Sequence, residues 1–200
     1  SIELALGVVG PGAAAEQVQT VVHEIIGSTR PMGWRHQVGN EPGLALTFER
    51  QWRLRKPLPL GGLGFDVIPT MGASLGNVRT MAAAGATFRL GQNLPQDFGP
   101  PRIRPSLPGS QTFDSEHGWG WYAFAGAEVR YMARSIFFDG NTFGRSHRVK
   151  KRRLVGDFQL GLALLFDSFR LTYTHVFRTR EYDGQPSGDR FGAISLSWRY

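Results

Sequence analysis

Residues 121–134 read WYAFAGAEVRYMAR, and the alternation in this stretch decides the fold. Every second position is apolar or aromatic, whereas Glu128, Arg130 and Arg134 fall on the positions between them. Side chains along a β-strand point alternately to opposite faces, so the segment predicts a strand with one apolar and one charged face. A strand of a membrane barrel has this character, because its outer face meets lipid and its inner face meets a polar lumen.

Further segments show the same period of two, some of them diluted by Ala and Gly. They are 2–8, 44–54, 65–75, 78–90, 154–166, 169–178 and 194–200. Asp167 and Ser168 separate two of these segments and predict a tight hairpin turn. About eight strands result, and the prediction is an all-β, antiparallel transmembrane β-barrel. A soluble barrel or sandwich is the alternative interpretation of the pattern.

Composition narrows the possible classes of protein. The chain has no cysteine, which excludes a disulfide framework and a thiolate nucleophile. No apolar run approaches the roughly 20 residues that a membrane-spanning helix needs. We predict one domain over residues 1–200, because no change of composition divides the chain. The net charge of +7 indicates nucleic acid, an anionic membrane surface or a phosphate-bearing lipid as a partner.

Strand parity predicts which connections face the cell exterior, provided that the last strand ends in the periplasm. The predicted outer loops are 9–42, a short turn at Gly76 and Asn77, 137–153 and 181–190. The Asp167–Ser168 turn and the Pro-rich stretch 94–109 then lie on the periplasmic side, where the length of the stretch is unexpected. Four aromatic residues are predicted to lie in the interfacial girdle. They are Trp119, Trp121, Tyr122 and Trp198.

One helix is predicted, between Pro11 and Gly27 in the first outer loop, where the period changes from two to 3.6. Gln19 and His23 lie one turn apart on its polar side. A neutral imidazole beside an amide can hold a water or a carbonyl for proton transfer. The residues alone leave a second interpretation open, namely the hydrated face of an amphipathic helix.

The segment RSHRVKKRR, residues 145–153, carries the densest positive charge and lies in a predicted outer loop. Four of its cations are candidate ligands for lipid phosphates or anionic sugars. They are Arg145, Arg148, Lys150 and Lys151. A solvated loop is the other interpretation. Nucleic acid is not expected as a partner, because aromatic residues that could stack on bases are not interleaved with these charges.

Several runs resemble the lipid A 3′-O-deacylase family of outer-membrane barrels, and they occur in the family's order over almost the whole chain. They are VGPGAAAEQVQTVVHEIIG, GWRHQVGNEPGLALTFERQW, LPQDFGPPRIRPSLPGS, FFDGNTF, VGDFQLG, LTYTHVFRTREYDGQ and FGAISLSWRY. The resemblance implies a twelve-stranded barrel in the bacterial outer membrane. It also implies removal of a 3′-linked acyloxyacyl chain from lipid A in the outer leaflet, by a protein that we expect to be a monomer.

The resemblance also implies a mechanism similar to that of phospholipase A2, in which a histidine paired with an aspartate activates water and a calcium ion stabilises the oxyanion. His23 matches the family's general base, and Gln19 matches a residue that orients the substrate or contacts the oxyanion. The family's Asn-Asp pair and its Thr lie on N-terminal strands that have no counterpart here. We therefore expect about four strands to be missing, assign no calcium ligand, and expect these 200 residues to be inactive alone. A passive channel or structural barrel is the alternative function.

Overall fold

The computed structural model describes residues 1–29, 32–58, 62–100 and 118–198. Its strands are β1 (Ile2–Val9), β2 (Glu41–Gln51), β3 (Leu54–Pro57), β4 (Leu63–Gly76), β5 (Arg79–Gln92), β6 (Trp119–Ser135), β7 (Leu154–Phe166), β8 (Phe169–Arg178) and β9 (Asp189–Trp198). Two α-helices, α1 (Ala15–Ile25) and α2 (Ile136–Asp139), and two 3₁₀ turns, Pro11–Ala13 and Trp34–His36, lie between strands. All strands join one antiparallel sheet in the order β1-β2-β4-β5-β6-β7-β8-β9, and β3 pairs with β4. Within the described residues, no helix has both the length and the apolar character needed to span a membrane.

Strands β2 and β3 are two halves of one line of pairing against β4. Gln51 pairs with Thr70 and Leu54 pairs with Val67, which is the same antiparallel register. Pro69 lies opposite the break and has no N–H to donate, although its carbonyl oxygen accepts from the Trp52 N–H at 3.0 Å. The nine strands therefore occupy eight positions in the sheet, which confirms the predicted number.

The two faces of the sheet differ as the alternation predicts. On β7, Leu160 and Leu162 are 42% and 44% exposed, whereas the intervening sequence positions point inward and Leu165 is fully buried. The same outward row of large apolar side chains continues across β1, β2, β8 and β9. A soluble barrel hides such residues, so the sheet has the faces of a membrane wall. The predicted all-β barrel fold is confirmed, with β1 and β9 as the outer strands of this sheet.

The sheet is strongly curved. Ala5 on β1 and Arg178 on β8 line one cavity of about 450 Å³. Six strand spacings separate them in the sheet order, which would be roughly 29 Å in a flat sheet at about 4.8 Å per strand. The inward face of the curved sheet therefore encloses a lumen.

Buried charges fill this lumen at the end that carries the Asp167–Ser168 turn. They are Arg89, Arg170, Asp66 and Asp97, and the partly buried Arg53 joins them. The Arg89 guanidinium donates to both Asp66 carboxylate oxygens at 2.8 and 2.7 Å and also to Asp97. Arg170 Nη1 donates to the other Asp97 oxygen at 2.5 Å. Charges buried this deeply persist only when they are paired, and here each carboxylate bridges two arginines.

This network includes the start of the Pro-rich stretch. Asp97 belongs to it, and the first residues of the stretch turn into the lumen, where Leu94 and Pro95 are buried beside Asp97. The stretch thus begins as part of the lumen packing. The predicted stretch beyond Pro100 lies outside the described residues.

The aromatic girdle was predicted correctly only in part. Trp119 and Trp198 are exposed on the apolar face, at the end of the strands that carries the Asp167–Ser168 turn, whereas Tyr122 is fully buried in the lumen. The Arg89 guanidinium lies 5.1 Å from the centre of the Tyr122 ring. The prediction for Tyr122 is therefore wrong, because its position alternates with the lipid-facing positions Trp121 and Ala123. Tyr200, predicted to end the last strand, lies outside the described residues.

Candidate active site

The first outer loop, residues 10–40, begins with a glycine that the geometry requires. Gly10 has a φ of 104°, and a Cβ there would lie 2.7 Å from backbone atoms of Gly39 and Asn40. The chain then forms a 3₁₀ turn at Pro11–Ala13 and enters α1 through Ala14, whose φ is 54°. The Gly12 N–H donates to the Asn40 side-chain oxygen at 2.6 Å and ties the start of the helix to the end of the loop. The predicted loop helix is confirmed.

A backbone carbonyl orients the imidazole of His23. Its Nδ1 lies 2.6 Å from the carbonyl oxygen of Thr29. A carbonyl only accepts, so Nδ1 carries the hydrogen and, in the neutral ring, the lone pair lies on Nε2. The side chain is thus held in the tautomer that a general base acting through Nε2 requires. Sequence reasoning missed Thr29, because a backbone acceptor leaves no residue-type signal.

Gln19 lies one helical turn before His23 and is exposed. The structure places both on α1 as predicted, but neither lines the lumen cavity. The other side of the helix is also exposed, with Val18, Val21 and Ile25 open over more than half of their surface. The helix is thus amphipathic, and its apolar side is exposed in the part of the chain that the structure describes.

The loop that carries α1 directly contacts the basic loop, residues 137–153, which contains the basic segment 145–153. The Gly39 N–H donates to the Asn141 side-chain oxygen at 2.7 Å, and the Asn141 amide donates back to the Gly39 carbonyl at 2.8 Å. The rings of His36 and His147 meet edge to face at 5.2 Å. Two predicted site elements, distant in sequence, thus form one surface at the outer-loop end of the sheet.

Glu41 is the centre of this junction. Its Oε2 accepts from the Asn141 side chain at 3.0 Å and from the backbone N–H groups of Thr142 and Phe143 at 2.8 and 3.2 Å. Its Oε1 accepts from the Asn77 side chain at 3.2 Å. One buried carboxylate therefore joins three outer connections. Sequence reasoning missed Glu41, because its charge falls on the polar face of β2 like that of any lumen residue.

Replacing Glu41 by alanine is expected to loosen the junction, since it leaves two amide side chains and two N–H groups without their acceptor. We expect hydrogen exchange of the Thr142 and Phe143 amides to accelerate at least about tenfold, which a lost charge-assisted hydrogen bond of about 1.5 kcal/mol or more implies. Glu41→Gln keeps the shape and one acceptor, and should have a smaller effect. Equal exchange rates in the wild type and in both variants would contradict this role.

The four predicted basic ligands divide into two kinds. Lys151 Nζ donates to Asp139 at 2.6 Å, and Lys150 Nζ lies 3.0 Å from Asp183 in the next outer loop. Burial alone would raise the pKa of Asp139, but hydrogen bonds from Lys151 and from the Ser135 backbone N–H hold that pKa below its ordinary value. This pair therefore stays charged down to acidic pH and fixes the loop.

Arg145 and Arg148 differ from the two lysines. Both are exposed, and neither forms an ion pair with a described residue. They are the members of the predicted set whose charge is available to a ligand.

The described residues contain no group of three His, Asp or Glu side chains close enough together to hold a metal ion. We therefore assign no ligands to the calcium ion that the sequence resemblance implies.

A curved antiparallel sheet with an apolar outer face and a charged lumen defines an outer-membrane β-barrel protein. The chain belongs to the family described as Outer membrane protein LpxR, whose model matches residues 1–200. LpxR from Salmonella typhimurium has a similar fold, with a TM-score of 0.78 at 20% sequence identity. That match covers 100% of this chain and 66% of the Salmonella chain, so the protein spans only part of that relative's length. No match was found among curated protein sequences. The predicted family and the outer-membrane location are confirmed.

Proposed function

We propose that the protein is the part of a lipid A 3′-O-deacylase that carries the catalytic loop helix. The observation that carries the proposal is the tautomer of His23, fixed by the Thr29 carbonyl at 2.6 Å on an outer loop of a protein of this family. An outer loop faces the leaflet in which lipid A lies. A histidine base in that position suits hydrolysis of an ester at the membrane boundary.

The chemistry needs one water and one ester. Nε2 of His23 takes a proton from the water as its oxygen attacks the ester carbonyl that links the acyloxyacyl chain to the 3′ position. The bond between the carbonyl carbon and the 3′ oxygen then breaks, and the imidazolium returns the proton to the departing 3′ oxygen, which stays on the sugar. The products are a 3′-hydroxyl on lipid A and a free acyloxyacyl acid. The Gln19 amide, one turn away, can donate to the carbonyl oxygen as negative charge develops on it.

Binding of the substrate is assigned to the basic loop. Lipid A carries phosphates, and Arg145 and Arg148 offer unpaired guanidinium groups on the loop that contacts the helix-bearing loop. Lys150 and Lys151 contribute positive charge but are already bound to carboxylates. We therefore expect the two arginines to contribute more to binding than the two lysines.

The proposal retains two further parts that follow from the resemblance. The reaction depends on calcium, with ligands that we do not assign, and residues 1–200 alone lack the family's Asn-Asp pair and Thr. Within the described residues, the exposed apolar side of α1 supports the view that this site is incomplete.

The test is release of the 3′ acyl chain from lipid A in mixed micelles, followed by mass spectrometry of both products. It is run with residues 1–200 and with the complete product of the gene, each with calcium and with a chelator. We expect calcium-dependent release by the complete product and none by residues 1–200. Release by neither would reject the deacylase, and release in the chelator would reject the metal dependence.

A further inference from the structure

A second pocket, of about 420 Å³, lies at the outer end of β6. It is bounded by the strand end, by α2 and by the part of the basic loop that crosses over them. Its lining residues are Ala133, Arg134, Phe138, Asp139, Arg148, Val149 and Lys151. No residue of α1 lines it, so it is separate from the candidate catalytic helix.

The charge of this pocket is positive. It contains three cations and one carboxylate, and the carboxylate of Asp139 is bound by Lys151. Arg134 and Arg148 have no carboxylate partner among the described residues. The pocket lining therefore carries a net charge of +2, from three cations and one carboxylate.

Arg134 is held in place and still has donors to offer. Its Nε donates to the Asn77 carbonyl at 3.3 Å, and its Nη2 donates to the Gly140 carbonyl at 3.1 Å and to the Thr142 hydroxyl at 3.0 Å. All three acceptors are neutral, and the attraction between Arg134 and the Asp139 carboxylate acts without an ion-pair contact. Nη1 donates to no described residue and is available to a ligand.

The remaining lining residues of the pocket are apolar. Ala133 is exposed and continues the lipid-facing row of β6 above Tyr131 and Val129, which are also exposed. Val149 and Phe138 complete this side. The pocket thus has positive charge next to a lipid-facing apolar surface. A phosphorylated lipid has the complementary arrangement, with negative charge next to apolar acyl chains.

We propose that this pocket binds a phosphate group of an outer-leaflet lipid, with Arg148 and Arg134 as its ligands. A phosphate monoester carries about −1.5 to −2 charges at neutral pH, and this charge is complementary to the net positive charge of the pocket lining. Guanidinium groups bind phosphate oxygens through paired N–H donors. The identification of lipid A as the source of the phosphate rests on the proposed function. The pocket itself rests only on its geometry and charge.

The experiment uses Arg148→Gln, with Arg153→Gln as the matched control. Both arginines are exposed, lie in the same basic segment and lack an ion pair with a described residue, but only Arg148 lines the pocket, and Arg153 is not one of the four candidate ligands. The probe is bisphosphorylated lipid A in mixed micelles, and binding to residues 1–200 is measured by thermophoresis. We expect Arg148→Gln to weaken binding about tenfold or more, since it removes charge-assisted hydrogen bonds. Arg153→Gln should stay within about twofold of the wild type.

Two results would overturn the proposal that this pocket binds phosphate. One is an equal loss in both variants, which would mean that the loop acts only through its overall charge. The other is equal affinity for lipid A whose phosphates have been removed. Competition by phosphatidylglycerol and by inorganic phosphate identifies the source: displacement by phosphatidylglycerol assigns the site to phospholipids, and displacement by phosphate alone shows that the headgroup is sufficient.

The proposed phosphate site and the proposed deacylase activity can be rejected independently of each other. Selective loss of binding in Arg148→Gln without any acyl release by the complete product would keep the pocket and reject the deacylase. Acyl release together with unchanged lipid A binding in Arg148→Gln would support the deacylase and reject the phosphate site.

Discussion

Replacing His23 by alanine should slow release of the 3′ acyl chain by a factor of about 10² to 10⁴, the usual contribution of a general base. Alanine preserves the helix, since it is a good helix former, and removes the ring whose Nδ1 is bound to the Thr29 carbonyl. The effect should appear in kcat, because the base acts in the chemical step rather than in binding. The measurement is the rate of acyl release by the complete gene product, with lipid A binding measured alongside.

His175→Ala is the matched control for this prediction. His175 lies on β8, far from α1 in sequence, and its Nδ1 contacts the Tyr173 hydroxyl at 3.3 Å. Its loss should leave the rate within about twofold, as expected for a surface substitution. If His23→Ala retained more than a third of the wild-type rate while His175→Ala behaved normally, His23 would not be the base.

Asp97→Asn is expected to destabilise the fold by about 3 to 5 kcal/mol, the cost of leaving buried charges uncompensated. The carboxylate accepts from Arg89 and from Arg170, and both guanidinium groups are fully buried. Asparagine has the same shape but carries no charge, so the variant isolates electrostatics from packing. The free energy of unfolding in urea, measured in detergent micelles, tests the prediction.

Two further variants test whether the loss of stability is specific to the buried Asp97 carboxylate or follows the loss of any carboxylate. Asp183→Asn removes an exposed carboxylate that pairs with Lys150 and Arg152, and its unfolding midpoint should not shift. Arg170→Met combined with Asp97→Asn removes a positive charge together with the negative one, and should recover part of the stability. An unchanged midpoint in Asp97→Asn would show that the lumen network does not stabilise this end of the sheet.

The sequence was sufficient to predict the strands, because period two is a local property. Side chains alternate between the two faces of a strand, and this alternation can be recognised in the sequence around Glu128 and Arg130. The same alternation places Leu160 and Leu162 on the outer face. Even the break at Pro69 leaves the faces unchanged, since pairing resumes in the same register. Tyr122 was misplaced because its aromatic type was given more weight than its parity.

The contacts that build the site were not predictable in the same way. Arg170 meets Asp97 across 73 residues, and Glu41 meets Thr142 across 101. Such partners are set by the curvature of the sheet and by loop paths, which leave no periodic signal. The helix with Gln19 and His23 was predicted from its period of 3.6, but the orientation of the imidazole depends on a backbone carbonyl and needs coordinates.

The paired arginines and aspartates near the Asp167–Ser168 turn also divide the described lumen into two parts. These side chains are held by several charged hydrogen bonds and contact almost no water. The 450 Å³ cavity lies nearer the other end of the sheet, where Val9, Ser135 and Glu181 are among its lining residues. Within the described residues, a solute or an acyl chain in this cavity is therefore separated by the paired charges from the end that carries the Asp167–Ser168 turn.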